Sequence, residues 1–335
     1  MEQRSSIPSA RRTAAPGTAA EAIEAHELAK TYPGDVRALD GLSFSVRSGT
    51  VFGLLGPNGA GKSTTVKILT TLSRPDAGQA FVSGIDVLRR PDAVRRAIGV
   101  VAQKSGFDRE ATGRENLVLQ GQVHGAGTRA ARARADELLA RFGLADAADR
   151  LARTYSGGMA RRLDVALGLV HRPQVLFLDE PTTGLDPEVR ADMWEEIARL
   201  SREEGITILL TTHYLEEADR LAARLAIVER GRVVAEGTPE GLKGELRGDA
   251  VQVELAEPGD GSVHEALARL DGVRDITVEQ RTLRARADHG ASAVPAVLAA
   301  LEGRGIRVAS VTVARPSLDD VYLRHAGRTF AEAER

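Results

Sequence analysis

The segment GPNGAGKST, residues 56–64, constrains the fold of this chain more than any other feature of its sequence. It matches the pattern G-x-x-x-x-G-K-[S/T], it follows the apolar run TVFGLL, and the helical stretch 62–72 begins within it. Glycines in such a loop let backbone N–H groups approach an anion, and the helix N-terminus adds partial positive charge. The segment therefore predicts a nucleotide-phosphate site between a buried strand and a helix.

Every residue of this loop is a candidate contact to the nucleotide. Lys62 can reach the β- and γ-phosphates, and the Ser63 hydroxyl can ligate Mg²⁺. The other expected contacts are Gly56, Pro57, Asn58, Gly59, Ala60, Gly61 and Thr64. A glycine-rich turn with an incidental lysine is the alternative, and it matches the pattern by chance on the order of one time in a hundred. The loop indicates an NTP-binding protein without specifying the kind of NTPase.

A second segment, QVLFLDEPTTGLDP at residues 174–187, places two acidic residues at the end of an apolar run. Asp179, at the carboxyl end of the expected strand, can hold Mg²⁺ through water. Glu180 then lies where it can polarise the attacking water. A single acid after a strand is more often a helix N-cap or part of a turn. Two acids in a chain that already has a phosphate loop favour the catalytic interpretation.

Apolar runs alternate with helical stretches from about residue 23 to residue 240. Short apolar runs between helices are typical of strands buried on both faces, so this region is expected to form an α/β domain with a largely parallel sheet. Runs such as VFGLLG and ITILL are far shorter than the ~20 residues that span a bilayer. The sequence contains no Cys, which excludes disulfides and thiolate metal sites.

After residue 249 the pattern changes to the order β-α-β-β-α-β, which is typical of a small ferredoxin-like α+β unit. The expected elements are a strand at 250–255, a helix at 262–270, strands at 273–279 and 282–287, a helix at 292–303 and a strand at 306–314. The expected domains are a disordered tail at 1–22, a nucleotide-binding domain at 23–240, a linker at 241–249, an accessory domain at 250–327 and a tail at 328–335.

The segment YSGGMARRLDVA places Ser156, Gly157 and Gly158 at the head of the helical stretch 159–170. Small residues at a helix N-terminus expose backbone N–H groups and a hydroxyl, which together can hold an anion. Ser156 acting only as the N-cap of this helix is the simpler interpretation. A chain with one γ-phosphate has no use for two phosphate sites, whereas two chains placed head-to-tail do.

The order of these motifs resembles the nucleotide-binding subunits of ABC transporters over about residues 24–240. The matching segments are GPNGAGKST, VVAQKSG with Gln103, YSGGM, VLFLDE, GLDP, and LLTTHYLEEAD with His213. The resemblance implies a P-loop NTPase cassette with a helical subdomain, which binds ATP and Mg²⁺ and hydrolyses ATP. It also implies that Ser156, Gly157 and Gly158 contact the γ-phosphate of the ATP held by a second copy of the chain, so that ATP binding closes a head-to-tail dimer.

The resemblance gives expected roles to single residues that match the family's motifs. Tyr32 in KTYPG would stack on adenine, Asp186 in GLDP would contact the dimer partner, and His213 would reach the γ-phosphate. Gln103 would contact Mg²⁺ and water, in a loop that also faces the membrane subunit. Taken singly, each residue has a plainer alternative: Tyr32 as a surface aromatic, for example, and His213 as a structural histidine.

The expected chemistry divides these residues into two groups. The catalytic residues are Glu180 and His213, and the Mg²⁺ ligands are Ser63, Gln103 and Asp179. His213 and Glu217 are four residues apart and could share a helix face, but without a third ligand no metal site is expected there.

Two departures from the family pattern indicate a subtype. Tyr155 replaces Leu and Met159 replaces Gln around the Ser-Gly-Gly segment. YSGGM, RRLDVALGLV and the C-terminal PSLDDVYLRHAGR are similar to the daunorubicin-resistance type of ATP-binding subunit, which drives bacterial drug or antibiotic exporters. This resemblance implies a separate transmembrane permease as partner and a peripheral location on the cytoplasmic face of the cell membrane. Export of a lipid or polysaccharide stays open, because the membrane subunit selects the substrate.

A soluble ABC ATPase acting on nucleic acid or ribosomes is a less favoured alternative. The net charge is −2 and aromatic residues make up 4% of the chain, so neither a basic excess nor a base-stacking surface is indicated. The Arg-rich stretch 129–141 is expected to be a solvated amphipathic helix, with Leu138, Leu139 and Phe142 on its apolar side. No nucleic-acid partner is therefore expected.

Overall fold

The computed structural model describes residues 21–246, 248–259 and 261–333. Most of the expected tail at 1–22 lies outside the described residues. Its last two residues, Glu21 and Ala22, instead begin the first strand, and Ala22 is buried. The first sheet thus starts two residues before the expected domain boundary.

The described residues form three sheets with helices between and around them. The strands are β1 Glu21–Tyr32, β2 Val36–Arg47, β3 Val51–Leu55, β4 Ala77–Val82, β5 Ile85–Asp86, β6 Ile98–Val101, β7 Val175–Asp179, β8 Thr207–Thr212, β9 Arg224–Glu229, β10 Arg232–Gly237, β11 Asp249–Leu255, β12 Val273–Glu279, β13 Thr282–Ala287 and β14 Val308–Ala314. The helices are α1 Lys62–Leu69, α2 Pro91–Ala97, α3 Gly113–Val123, α4 Thr128–Arg141, α5 Gly157–Leu169, α6 Pro187–Glu204, α7 Leu215–Leu221, α8 Pro239–Gly244, α9 Gly261–Leu267, α10 Gly290–Glu302, α11 Leu318–Ala326 and α12 Phe330–Ala333. Within the described ranges, none of these helices combines the length and apolar composition needed to cross a bilayer.

The central sheet has the order β10-β9-β3-β8-β7-β6, and all its neighbours are parallel except β10 with β9. Strands β3 and β8 are buried at every position, as continuous apolar runs predict. The expected α/β domain with a largely parallel sheet is thus confirmed for this layer. Because the strands are parallel, the segments that follow β3, β6, β7 and β8 all leave the sheet at one edge. This edge carries the phosphate loop, Gln103, Glu180 and His213.

A second, antiparallel sheet with the order β2-β1-β4-β5 lies over one face of the central sheet. Helix α1 is packed between the two sheets, since Val66 and Ile68 share one apolar cluster with residues of both. Phe44 of the outer sheet stacks on Phe52 of the central sheet with ring centroids 5.3 Å apart. The phosphate loop is therefore anchored at both ends, by β3 before it and by the buried face of α1 after it.

Helices α3, α4 and α5 form a helical subdomain against the other end of the central sheet. A capping box of Thr112 and Glu115 begins α3. Helix α4 buries Leu138 and Leu139 and exposes two of its four arginines, Arg129 and Arg132, and Phe142 packs into the same cluster. The prediction of an amphipathic helix for the Arg-rich stretch is confirmed.

The C-terminal unit has the expected order β-α-β-β-α-β, from β11 through α9, β12, β13 and α10 to β14. Its sheet has the strand order β12-β13-β11-β14 and is antiparallel throughout. The two helices pack on one face through Val263, Leu267, Val297 and Leu301.

Two segments expected to be a linker and a tail are packed instead. Part of the expected linker at 241–249 lies in α8, its last residue begins β11, and Leu242 and Leu246 are 1% and 3% exposed. In the expected tail at 328–335, Phe330 is 4% exposed and contacts the ring of Tyr322. The hydrophobic effect explains this packing. One apolar cluster contains Leu242, Leu246, Tyr322 and Phe330 together with Leu225 and Ile227 of β9.

Candidate active site

The phosphate loop connects β3 to α1, and two of its glycines are required by its shape. Gly61 caps α1 with φ +111°, and a Cβ there would lie 2.6 Å from the Ala38 carbonyl oxygen. A Cβ on Gly56 would lie 2.4 Å from the Val228 carbonyl oxygen. No larger residue fits at either position without moving the chain. The loop's outer side is open to solvent at Asn58, Gly59 and Ser63, whereas Pro57, Ala60 and Lys62 are buried and Thr64 is half-buried.

The Lys62 ammonium lies inside the loop and is 5% exposed. Its Nζ donates to the carbonyl oxygens of Gly56 at 2.6 Å and Pro57 at 3.0 Å. It also lies 3.8 Å from Oε1 of Glu180. A buried ammonium between the phosphate loop and a carboxylate is well placed to donate hydrogen bonds to phosphate oxygens.

Three residues expected from distant parts of the sequence converge on the Glu180 carboxylate. Gln103 Nε2 donates to Glu180 Oε2 at 3.1 Å, and His213 Nδ1 lies 3.3 Å from Glu180 Oε1. With Lys62, these contacts surround a carboxylate that is 9% exposed. Glu180 itself has φ +49°, a left-handed conformation that is unfavourable for a residue with a Cβ. Its backbone N–H holds this turn by donating to the Thr211 carbonyl and hydroxyl, each at 3.1 Å.

Asp179 and Ser63 come together beside this cluster. Ser63 Oγ donates to Asp179 Oδ1 at 3.4 Å, and Thr211 Oγ1 donates to the same oxygen at 2.6 Å. A hydroxyl and a carboxylate near the Gln103 amide are the hard oxygen ligands that Mg²⁺ prefers. The residues present therefore fit Mg²⁺, with most of its coordination left to phosphate and water. Glu217, in contrast, is fully buried and accepts from Thr182 Oγ1 and Trp194 Nε1, so it belongs to the core.

The Ser-Gly-Gly segment forms an exposed helix N-terminus. Ser156 caps α5 by accepting from the Met159 N–H at 3.3 Å, and Ser156 and Gly157 are exposed. A Cβ on Gly158 would lie 2.7 Å from Val189, so this glycine permits close packing of α5 against α6. Asp186 caps α6 by accepting from the Val189 N–H at 2.9 Å and is itself exposed.

Tyr32 lies at the end of β1, apart from these side chains in sequence, and is half-buried. The Lys30 ammonium lies 5.7 Å from the centroid of its ring. The attraction between this ammonium and the ring holds the Tyr32 side chain in place at the protein surface. This geometry fits both a stacking platform and a plain surface aromatic.

The sequence interpretation missed two contributors to the site. Thr211, in β8, donates to Asp179 and accepts from the Glu180 N–H. Arg161, in α5, is buried and donates to the main-chain carbonyl of Glu180 and to that of Ala102, the residue before Gln103. A signal for Arg161 does exist: Arg161, Asp164, Val165 and Gly168 follow the spacing i, i+3, i+4, i+7 of a buried helix face.

Comparison with known proteins places this geometry in a family. Residues 39–183 match the family model described as ABC transporter, and residues 237–326 match the C-terminal domain of ATP-binding proteins like DrrA1-3. The daunorubicin resistance ATP-binding protein DrrA3 of Streptomyces coeruleorubidus is 51% identical over 88% of this chain and 92% of its own. The daunorubicin/doxorubicin resistance ATP-binding protein DrrA of Streptomyces peucetius is 46% identical over 91% of this chain and 92% of its own.

A solved structure shares the fold of the cassette. It is a dimeric ATP-binding cassette in a post-hydrolysis state bound to ADP and Pi, 26% identical, with a TM-score of 0.60 over 64% of this chain and 98% of its own. The expected P-loop NTPase cassette, the accessory C-terminal domain and the ATPase activity are thereby confirmed. This chain belongs to the ATP-hydrolysing subunits of ABC transporters, in the group of the daunorubicin-resistance ATP-binding proteins.

Proposed function

We propose that this chain powers a drug or antibiotic exporter by hydrolysing MgATP at Glu180, with two copies closing head-to-tail on their nucleotides beneath a separate membrane subunit. The observation that carries the proposal is the convergence of Lys62, Gln103 and His213 on Glu180 at the edge of the sheet that bears the phosphate loop. Four motifs separated by as many as 151 positions meet at one carboxylate, with Lys62 first and His213 last in the chain.

The residues of the cluster divide the work of phosphoryl transfer to water. The loop backbone and Lys62 hold the phosphates and offset their charge. Glu180 polarises the attacking water and takes its proton on a carboxylate oxygen. His213, 3.3 Å from Glu180 Oε1, keeps the carboxylate oriented and reaches toward the γ-phosphate. Ser63, Asp179 and Gln103 would hold Mg²⁺, which supplies positive charge to the phosphate oxygens when bound.

The exposed start of α5 supports the head-to-tail dimer. Ser156 and Gly157 present a hydroxyl and free N–H groups at a helix N-terminus, a geometry that favours an anion. The phosphate loop of the same chain already has its own helix N-terminus at α1. A second phosphate site of this kind is useful only to a second chain, and the similar solved cassette is described as dimeric.

A groove beside the Gln103 loop supports docking of a membrane subunit. It runs between β6 and the helical subdomain and is lined by Val100, Ala102, Asp164, Leu167 and His171. Two exposed apolar side chains, Leu72 and Val100, are among its lining residues. A cluster of exposed apolar residues marks a protein–protein contact more often than bare surface. This supports a peripheral location on the cytoplasmic face of the cell membrane.

The names of the relatives support a drug or antibiotic as cargo. The similar proteins of two Streptomyces species are named for resistance to daunorubicin or doxorubicin. Export of a lipid or polysaccharide is the alternative, because the cassette has no contact with cargo and the membrane subunit selects it.

Co-expression tests the proposal. We expect the chain expressed alone to stay in the supernatant after ultracentrifugation, and to pellet with membranes when its permease partner is co-expressed. The pair should raise drug tolerance of a sensitive host, and the pair with Lys62→Ala should not. Pelleting of the chain in the absence of the permease, or tolerance that survives Lys62→Ala, contradicts the proposal.

The adenine contact gives a second test. We expect Tyr32→Ala to raise KM for ATP about 10-fold with kcat changed by less than about 2-fold, because stacking stabilises ground and transition states equally. Steady-state ATPase assays measure both constants. Phe81→Ala is the matched control, since it removes another partly buried aromatic of the same antiparallel sheet. An unchanged KM for Tyr32→Ala would show that Tyr32 is a plain surface residue.

A further inference from the structure

Arg161 is a buried cation whose partners are main-chain carbonyls. It is 8% exposed and lies on α5, little more than one turn beyond the Ser156 cap. Its Nε donates to the Pro181 carbonyl at 2.7 Å, and its Nη2 donates to the carbonyls of Asp179 and Glu180 at 3.1 Å each. Its Nη1 donates to the Ala102 carbonyl at 2.7 Å. One guanidinium thus satisfies four buried or partly buried acceptors from two chain segments.

Both segments carry groups of the proposed active site. Residues 179–181 contain Glu180, whose φ of +49° ends strand β7, although its N–H still donates to the Thr211 carbonyl of β8. Ala102 immediately precedes Gln103, which donates to the Glu180 carboxylate. Carbonyls in such a turn need a donor, and an unsatisfied buried carbonyl destabilises the conformation that exposes it. The Arg161 guanidinium is that donor for three successive carbonyls.

We propose that Arg161 is a positioning residue for ATP hydrolysis, which fixes the main chain at Glu180 and Gln103 from the helix that begins with Ser156. The inference rests on the proposed role of Glu180 as the catalytic carboxylate. Because α5 is a rigid helix, the N-terminus that would meet the ATP of a second copy and the side chain that holds this copy's Glu180 move together. Arg161 therefore links contact with the neighbour's nucleotide to the geometry of hydrolysis in its own chain.

The chemistry of the site requires a guanidinium rather than any cation. Burial lowers the pKa of Arg161, and the surrounding carboxylates of Asp164, Asp179, Glu217 and Glu180 oppose that shift. Four of the five N–H donors of a planar guanidinium are matched to separate carbonyls here. A lysine ammonium keeps the charge but offers three donors from a single point, so it cannot reach both segments in the same geometry.

The test compares Arg161→Met, Arg161→Lys and the control Arg162→Met in the full-length chain. Arg162 is the next residue of α5, is half-buried and pairs with Asp192. We expect Arg161→Met to lower kcat about 100-fold, as displacement of a catalytic group by about 1 Å does, with KM and nucleotide affinity changed less than about 3-fold. Arg161→Lys should recover part of kcat, and Arg162→Met should match wild type. The measurements are steady-state ATPase constants, equilibrium nucleotide binding and Tm.

The outcomes separate this inference from the proposed function, because Glu180→Gln is run in the same assay. Wild-type kcat in a folded Arg161→Met, beside an inactive Glu180→Gln, overturns the positioning role and leaves the proposed function standing. Activity in Glu180→Gln overturns both. If Arg161→Met does not fold, Arg161→Lys decides: reduced kcat with unchanged nucleotide affinity and Tm supports the proposal. Equal loss of kcat, affinity and Tm shows a purely structural residue and overturns it.

Discussion

Lys62→Ala is expected to weaken ATP binding about 100-fold and to remove measurable hydrolysis while the fold persists. Charge-assisted hydrogen bonds contribute about 1.5–3 kcal/mol each, and Lys62 is placed to make them to two phosphates. At about 1.4 kcal/mol per tenfold change in affinity, two such bonds correspond to at least 100-fold. Loss of the cation also removes charge stabilisation of the transition state, typically worth about 10²–10³ in kcat. Nucleotide binding and ATPase assays measure the two effects.

The fold of this variant should survive because the lost contacts are few. Lys62 donates to two carbonyls, of Gly56 and Pro57, each worth about 1 kcal/mol of stability. Lys67→Ala, one turn later on the exposed side of α1, is the matched control and should behave as wild type. Unchanged ATPase in a folded Lys62→Ala, checked by circular dichroism, would show that the phosphates bind elsewhere.

Continuous apolar runs made the core of this fold predictable. Strands β3 and β8 are buried on both faces, so their sequences contain no alternation to confuse with a surface strand. The elements of the C-terminal unit were equally predictable: strand β13 has the expected bounds, and strand β11 begins one residue before its expected start. The separate antiparallel sheet was not predicted, because strands such as β1 and β4 also present buried residues to α1 and resemble the parallel strands in composition.

Burial against distant residues could not be predicted from local pattern. Leu242, Leu246 and Phe330 lie in segments with glycine and charge on either side, which are typical of linkers and tails. Their burial depends on a partner surface on β9, and Tyr322 of α11 secures the same surface by donating to Glu229. Burial and the adjacent Glu229 raise the pKa of the Tyr322 hydroxyl, so it stays a donor at physiological pH.

The residues of the candidate site could be predicted, because each motif has its own chemistry. That these residues meet at the Glu180 carboxylate could not be predicted. The phosphate loop predicts Lys62 and Ser63 from a nine-residue segment. Nothing in the sequence alone says that Gln103 reaches the Glu180 carboxylate, and only the strand order brings β6, β7 and β8 side by side. Arg161 was hidden for another reason: a basic residue beside Arg162 resembles a solvated charge, and only the helical period assigns it to the buried face.

Glu180→Gln is expected to lower kcat about 10²–10⁴-fold while ATP still binds. Gln keeps the shape of the side chain and can still contact Gln103 and His213, but it cannot accept the proton of the attacking water. Uncleaved ATP should then hold two chains together, so that MgATP shifts the variant to twice its mass in light scattering. MgADP is the control and should leave it at the mass of one chain. A turnover rate equal to wild type would remove Glu180 from the catalytic role.

Adding Ser156→Arg to Glu180→Gln is expected to abolish this dimer without reducing nucleotide binding. The bulky cation replaces a small exposed hydroxyl at the head of α5, where the neighbour's phosphate must enter, and leaves the phosphate loop unchanged. Thr128→Arg adds the same charge at the exposed head of α4 in the same subdomain, so Thr128→Arg with Glu180→Gln should still dimerise. Equal dimerisation of the Ser156 and Thr128 variants would mean that Ser156 is only a helix cap.

Mixing two defective chains separates action on the neighbour's ATP from action on the chain's own. Lys62→Ala keeps an intact Ser-Gly-Gly segment, and Ser156→Arg keeps an intact phosphate loop. In a head-to-tail dimer of one chain of each kind, the loop of the second faces the Ser-Gly-Gly segment of the first, which restores one complete site. Random pairing at equal amounts gives such a site in about a quarter of all positions, so the mixture should regain up to about a quarter of wild-type turnover. If Ser156 served its own chain's ATP, every site would keep one defect, and the mixture would be as inactive as its components.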